Sequence, residues 1–115
     1  MAFRLGRIVY YAKDAAALAH WYRDTFDLAT KFDGLEEGWI ELDSGGSCTL
    51  AFHTVDSPEP STAEIAFAVD DVEETRQRLA SAGIDIHDEV IAWRHYQYCK
   101  GRDPEGNVFQ IINAS

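Results

Sequence analysis

Cysteine, basic side chains and long apolar runs are all scarce in this sequence, and each shortage argues against a class of structure or function. Two cysteines, Cys48 and Cys99, are too few for a disulfide scaffold, and neither belongs to a Cys-x-x-Cys motif of the zinc or thioredoxin type. Ten basic residues face 20 acidic ones, a net charge of −10, which argues against nucleic acid as a partner and leaves no polybasic membrane patch.

No apolar run approaches the roughly 20 residues of a membrane span, and residues 1–6 contain no hydrophobic signal core. We therefore expect a cytoplasmic protein with reduced thiols and no membrane partner.

Apolar and aromatic side chains are plentiful, which argues against disorder. The apolar fraction is 46%, and the aromatics comprise 3 Trp, 5 Tyr and 6 Phe. A chain of 115 residues is the size of one ordinary domain. The acidic balance favours solubility first and a cationic ligand second.

Hydrophobic periodicity and turn residues predict the same order of elements twice. The first half is predicted to contain a strand at 5–12, a helix at 15–26 capped by Asp14, a looser stretch at 29–33, a turn at 34–38, and strands at 39–42 and 48–55. After a linker-like stretch at 56–62, the second half is predicted to contain a strand at 64–69, a helix at 72–82 capped by Asp71, strand pieces at 84–86 and 90–93, and strands at 96–100 and 107–112. Asp14 and Asp71 lie 57 residues apart, as do Arg7 and Glu64, which indicates an internal duplication.

Three phrases carry a family resemblance: residues 21–28 (WYRDTFDL), 64–72 (EIAFAVDDV) and 102–111 (RDPEGNVFQI). With the repeated order of elements, they make the chain resemble the glyoxalase/bleomycin resistance/dioxygenase superfamily, which has the vicinal oxygen chelate fold. The resemblance implies an α+β fold in which two βαβββ modules form a curved mixed sheet with a concave cleft, and it implies a homodimer. It implies one domain over 1–115, with module one at about 1–56, a linker at 57–63 and module two at about 64–115.

The resemblance also indicates where metal-dependent members carry their ligands, and those positions are Arg7, Glu64, Gln110 and, nearest to the fourth, Ala51. An arginine has no free lone pair and cannot ligate a divalent cation, so Glu64 is the one strong donor, with His53 possible in another register. We therefore expect no metal and no cofactor, with a divalent metal as the alternative. We expect Arg7 and Glu64 to pair, or to be bridged by Gln110, either structurally or to present a guanidinium to an anionic group.

The predicted ligand-binding residues combine these positions with aromatic side chains that could line the same cleft. Strand alternation puts Thr49, Ala51 and His53 on one face. Any of the aromatic residues could instead belong to the core or to a dimer interface, and Cys99 is interpreted as structural. The expected ligand contacts are Arg7, Tyr11, Ala51, His53, Glu64, Trp93, Tyr96, Tyr98 and Gln110.

Three functions remain open. The first is metal-independent binding of a small molecule in the cleft, similar to the sequestration of cationic drugs by bleomycin-resistance proteins. The second is a lyase, isomerase or dioxygenase acting on a small oxygenated substrate, with Glu64 or His53 as the proton-transfer group. The third is a catalytically idle partner module. The net charge favours a cationic ligand, whereas Arg7 favours an anionic one, and the two indications conflict.

Overall fold

The computed structural model describes residues 2–113 and divides the chain between Glu59 and Pro60 into two compact units, which we call module one and module two. Each module contains one α-helix and its own four-stranded mixed sheet. Neither α-helix within residues 2–113 has the length and apolar composition needed to cross a membrane.

Module one follows the order βαβββ. Its elements are β1 (Arg7–Ala12), α1 (Ala15–Phe26), β2 (Ala29–Gly34), a 3₁₀ helix (Leu35–Glu37), β3 (Trp39–Asp43) and β4 (Thr49–Thr54). The sheet order is β1-β4-β3-β2, in which β1 runs parallel to β4 and the remaining pairs are antiparallel.

Helix α1 is defined by its caps and covers one face of this sheet. The Asp14 carboxylate accepts a hydrogen bond from the Ala17 amide at 3.0 Å, which satisfies an amide that the first helical turn leaves unpaired. The fully buried Tyr22 lies 5.4 Å from the ring of Phe52 on β4 and 6.1 Å from that of Tyr10 on β1. These aromatic contacts fix the helix on the face that carries the even-numbered residues of β1 and β4.

Module two repeats the order. Its elements are β5 (Ile65–Val69), α2 (Val72–Ser81), β6 (Ile91–Trp93), β7 (Tyr96–Arg102) and β8 (Val108–Asn113). The sheet order is β5-β8-β7-β6, with β5 parallel to β8. The Asp71 carboxylate caps α2 by accepting from the Glu74 amide at 3.0 Å.

Helix α2 packs on β7 and β8, and the core of module two lies beneath it. Phe109, Ile111 and Cys99 are almost completely buried there. Gly101 is required by this packing, because a Cβ at this position would overlap the ring of Phe109 and approach the Asp85 carbonyl oxygen to 2.7 Å. The odd-numbered residues of β7 and β8 therefore face the helix, and the even-numbered ones lie on the opposite face.

The turn between β7 and β8 makes hydrogen bonds to the segment that precedes β5. The buried Asn107 donates from Nδ2 to Asp103 at 2.8 Å and accepts from the Ser61 amide through Oδ1 at 2.7 Å. Asp103 also accepts from the backbone amide of Asn107 at 2.9 Å. The segment that precedes β5 is thus tied to the turn between β7 and β8 by one buried pair of side chains.

The predicted α+β class with two βαβββ modules is confirmed, as are both helix caps, while two local predictions were wrong. The turn predicted at 34–38 is present as a single 3₁₀ turn, whereas the stretch at 29–33, predicted to be loose, forms strand β2. The strand piece predicted at 84–86 is reduced to a single bridge between Ile86 and Gly101. Strand β2 escaped recognition because five of its six residues are exposed, so its sequence carries no buried alternation.

Replacing Asn107 with Ala should lower the free energy of unfolding by about 2–3 kcal/mol, because the Ser61 amide and the Asp103 carboxylate each lose a buried partner. Asp43→Ala is the matched control. The exposed Asp43 carboxylate also accepts a turn hydrogen bond, from the Gly45 amide at 3.0 Å. That variant should lose about 1 kcal/mol or less in urea unfolding. Equal losses in the two variants would contradict the structural role of Asn107.

Candidate functional site

Four of the predicted ligand contacts lie together on the helix-free face of the module-one sheet, which is the face opposite α1. Arg7 and Tyr11 come from β1, and Ala51 and His53 come from β4. The strand register places Tyr11 directly beside His53, and Val9 beside Ala51.

A buried carboxylate that the sequence did not reveal as functional lies at the centre of this face. Glu41 of β3 is 6% exposed and sits opposite Ala51. One carboxylate oxygen accepts from the Thr49 hydroxyl at 2.6 Å, and the other lies 3.2 Å from Nη2 of Arg7. The hydrogen bond from Thr49, followed by the interaction with Arg7, lowers the pKa of Glu41, so the carboxylate is ionised despite its burial.

A row of aromatic rings begins at the guanidinium of Arg7. The Cζ atom of Arg7 lies 5.4 Å from the ring centroid of Trp39, and the Trp39 ring lies 5.8 Å from that of His53. Tyr11 contacts the other side of this cluster, with its ring centroid 6.1 Å from His53. Within residues 2–113, the buried Nδ1 of His53 has no hydrogen-bond partner.

The other five predicted contacts belong to module two, and two of them, Glu64 and Gln110, form a polar cluster with a lysine that sequence reasoning missed. Glu64 directly precedes β5, and its Oε1 accepts from Nζ of Lys100 at 2.9 Å and from Nε2 of Gln110 at 2.8 Å. The lysine and then the amide lower the pKa of Glu64. Glu64 and Gln110 thus contact each other, whereas Arg7 pairs with Glu41 inside its own module.

An open groove of about 250 Å³ lies beside this cluster on the helix-free face of the module-two sheet. The ring centroids of Trp93 and Tyr96 are 5.7 Å apart, and those of Tyr96 and Tyr98 are 6.1 Å apart, so the three form a continuous aromatic wall. We call this the aromatic groove; its lining is Trp93, Tyr96, Tyr98, Lys100 and Gln110.

The two ion pairs occupy equivalent positions with their charges reversed. In module one, Glu41 of β3 lies opposite Ala51 of the inner strand β4. In module two, Lys100 of β7 lies opposite Gln110 of the equivalent inner strand β8. The oppositely charged partner comes from the outer strand that runs parallel to the inner one. Arg7 lies two residues before Val9, the β1 neighbour of Ala51. Glu64 lies two residues before Ala66, the β5 neighbour of Gln110. Each pair therefore spans that inner strand of its sheet.

The side chains at the four metal-ligand positions do not fit a divalent cation. Arg7 brings a permanent positive charge, Ala51 brings no donor, and the charged oxygen of Glu64 already binds the ammonium of Lys100. No group of three or more His, Cys, Asp or Glu side chains within residues 2–113 is arranged to hold a metal ion.

Cys99 lies outside both polar clusters. It faces α2 at 1% exposure, and burial raises the pKa of its thiol, so the reactive thiolate is disfavoured.

Replacing Thr49 with Val preserves the shape of the side chain and removes the hydroxyl that chiefly lowers the Glu41 pKa. A carboxyl whose pKa falls on folding stabilises the protein above its unfolded pKa, about 4.3, and this stabilisation is lost as pH falls through the lower folded value. The variant should lose about 1–2 kcal/mol of unfolding free energy at neutral pH, and the loss should shrink below about pH 4.

Urea unfolding at a series of pH values measures this difference. Thr30→Val on the exposed strand β2 is the control and should behave like the parent protein. A loss in Thr49→Val that is the same at every pH would show that the hydroxyl does not act through the Glu41 charge.

Solved structures with a similar fold have diverse descriptions. "Oxidase ChaP-H2" is 18% identical with a TM-score of 0.83, and the match covers 100% of this chain and 96% of that one. A lactoylglutathione lyase from Agrobacterium tumefaciens is 20% identical with a TM-score of 0.78, covering 96% and 93%. TioX from Micromonospora sp. ML1 is 17% identical with a TM-score of 0.76, covering 96% and 98%. At these identities the likeness shows the fold alone.

No curated protein matches the sequence significantly. The family comparison is decisive instead, because the glyoxalase-like domain profile matches residues 7–112, nearly the whole chain. It begins at Arg7 and includes both helix-free faces described above. The chain belongs to the glyoxalase-like domain family.

Proposed function

We propose that this protein binds a small organic molecule without a metal ion, and that the aromatic groove of module two is the binding site. The observation that carries the proposal is the combination of three adjacent aromatic rings with the polar ends of Lys100 and Gln110 in one open groove. Small-molecule sites commonly combine apolar walls with a few polar groups that orient the ligand.

Available hydrogen-bonding capacity supports this assignment. The ammonium of Lys100 carries three donors, of which Glu64 takes one, and the amide of Gln110 gives one N–H to the same carboxylate. The remaining donors of Lys100 and the carbonyl oxygen of Gln110 are thus suited to a ligand. Glu64 orients both side chains and holds them beside the aromatic wall.

The same carboxylate contact supports metal independence. A cation entering beside Glu64 would have to displace Lys100, and the equivalent acid in module one, Glu41, is already bonded to Arg7 and Thr49. Both carboxylates therefore have the counter-charge that a metal would otherwise supply.

The family resemblance adds a homodimer to the proposal, and the sequence adds a cytoplasmic location. Cys48 and Cys99 are both free thiols, which suits a reducing compartment. Sedimentation of the purified protein measures the oligomeric state.

Elemental analysis tests metal independence. The protein purified from metal-supplemented medium should carry zinc, nickel, iron and manganese at well below one equivalent, and dialysis against a chelator should leave its melting temperature unchanged. A stoichiometric metal that is lost in the Glu64→Gln variant would contradict the proposal, since that variant keeps the shape of the side chain and removes the donor charge.

A thermal-shift screen of small organic compounds tests the groove. Hits on the parent protein should lose affinity by about three- to tenfold in Tyr98→Ala, because an aromatic contact contributes about 0.5–1.5 kcal/mol. The control is Phe32→Ala, which removes an exposed ring from the module-one edge strand. Hits that respond equally to both substitutions would place binding elsewhere.

A further inference from the structure

The ligand charge that the aromatic groove selects can be read from its own contacts, and this inference rests on the proposed function. Electron-rich rings and a carboxylate attract cations, so a wall of Trp93, Tyr96 and Tyr98 beside Glu64 would ordinarily suit a cationic ligand. The net charge of −10 would favour the same choice.

Both cation-attracting elements are already occupied by cations of the chain itself. The Cζ atom of Arg94 lies 4.7 Å from the ring centroid of Trp93, well within the range of a cation–π interaction. Glu64 is bonded to Lys100 at 2.9 Å. These two contacts involve two positive charges and one negative charge, and the unused hydrogen-bonding groups of the cations are donors.

The backbone at Arg94 gives an independent reason to regard its position as functional. Trp93 pairs with Tyr96, so Arg94 and His95 form a two-residue hairpin turn, and Arg94 has a φ of 56°. This left-handed region favours Gly or Asn, and a side chain with a Cβ is strained in it. The chain thus keeps an arginine at a position where glycine would be the more favourable residue.

We propose that the aromatic groove binds a planar aromatic anion, such as an aromatic carboxylate or a phenolate. Its rings stack against Trp93, Tyr96 and Tyr98, and its negative charge is held by Lys100 and the nearby Arg94. A groove of about 250 Å³ suits a ligand of one or two rings, since pockets for drug-sized ligands begin at about 300 Å³.

Three probes of one shape and different charge test the proposal by isothermal titration calorimetry on the full chain. They are 2-naphthoate, 2-naphthalenemethanol and the 2-naphthylmethylammonium ion. The naphthoate should bind about tenfold more tightly than the neutral alcohol, as expected for one charge-assisted contact, and the ammonium should bind most weakly.

Two glycine substitutions separate the charge of Arg94 from the strain at its backbone. Arg94→Gly should raise the melting temperature or leave it unchanged, and should weaken naphthoate binding by about fivefold. Asp27→Gly is the matched control, because Asp27 also has a φ of 56° and lies at the end of α1 in module one. It should relieve the same strain without changing naphthoate affinity.

Two lysine substitutions test whether the positive charge of Lys100 contributes to naphthoate binding. Lys100→Met should weaken naphthoate binding by about tenfold and strengthen ammonium binding, because it frees the Glu64 carboxylate. Lys31→Met, on the exposed strand β2, should change neither affinity.

The outcomes distinguish this inference from the function on which it rests. If the ammonium binds the parent protein more tightly than naphthoate, the ligand class is wrong, while the groove remains a small-molecule site. If naphthoate affinity is unaffected by Arg94→Gly and Lys100→Met, the charge assignment is wrong. If none of the three probes binds while hits from the thermal-shift screen still respond to Tyr98→Ala, the inference fails and the proposed function stands; if the screen also gives no such hit, the proposed function fails with it.

Discussion

The helix-free face of module one depends on an ion pair that spans the inner strand β4, and module two has an equivalent pair across β8. One helix, of 12 residues in module one and 10 in module two, covers only one face of four strands, so the other face is left without a helix. On that face β4 is still buried, with Thr49 at 6% exposure and Glu41 beside it equally inaccessible. A carboxylate in such a place is tolerable only with hydrogen bonds and a counter-charge, which Thr49 and Arg7 supply.

The repeat conserves the geometry of this pair and reverses its polarity. In module one the base comes from the outer strand and the acid from β3, while in module two the acid Glu64 precedes the outer strand and the base Lys100 comes from β7. A pair of opposite charges satisfies both partners whichever strand supplies the acid. The arrangement also accounts for the poor fit to a metal, because each carboxylate already contacts a cation in the chain. The metal-free binding that we propose follows from how the sheet faces are stabilised.

Strand alternation and spacing were enough to predict most of the fold and one side of each ion pair. The 57-residue repeat identified Arg7 and Glu64 as equivalent, and alternation placed Ala51 and His53 on one face. The partners Glu41 and Lys100 were missed because they lie far along the chain from Arg7 and Glu64. Only the register between β3 and β4, and between β7 and β8, brings them opposite Ala51 and Gln110.

Exposed features were missed for a related reason. Strand β2 belongs to the sheet through hydrogen bonds to β3 and buries almost nothing, so its residues show no hydrophobic pattern. Arg94 carries no motif, and the role that we propose for it rests on a backbone angle and a ring contact. Such features depend on conformation, and composition and periodicity report mainly on burial.

The net charge of the chain favours a cationic ligand, whereas basic residues at the site favour an anionic one. The two indications act over different distances. Charges in 0.15 M salt are screened over about 8 Å, so most of the 20 acidic side chains contribute little to the potential inside one groove. Contacts of 2.9 Å for Lys100 with Glu64 and 4.7 Å for Arg94 with Trp93 lie well within that length. The proposed preference for an anionic ligand therefore rests on these two nearby cations and not on the net charge of the chain. The acidic surface acts over longer distances, where it favours solubility and lowers the rate at which an anion approaches.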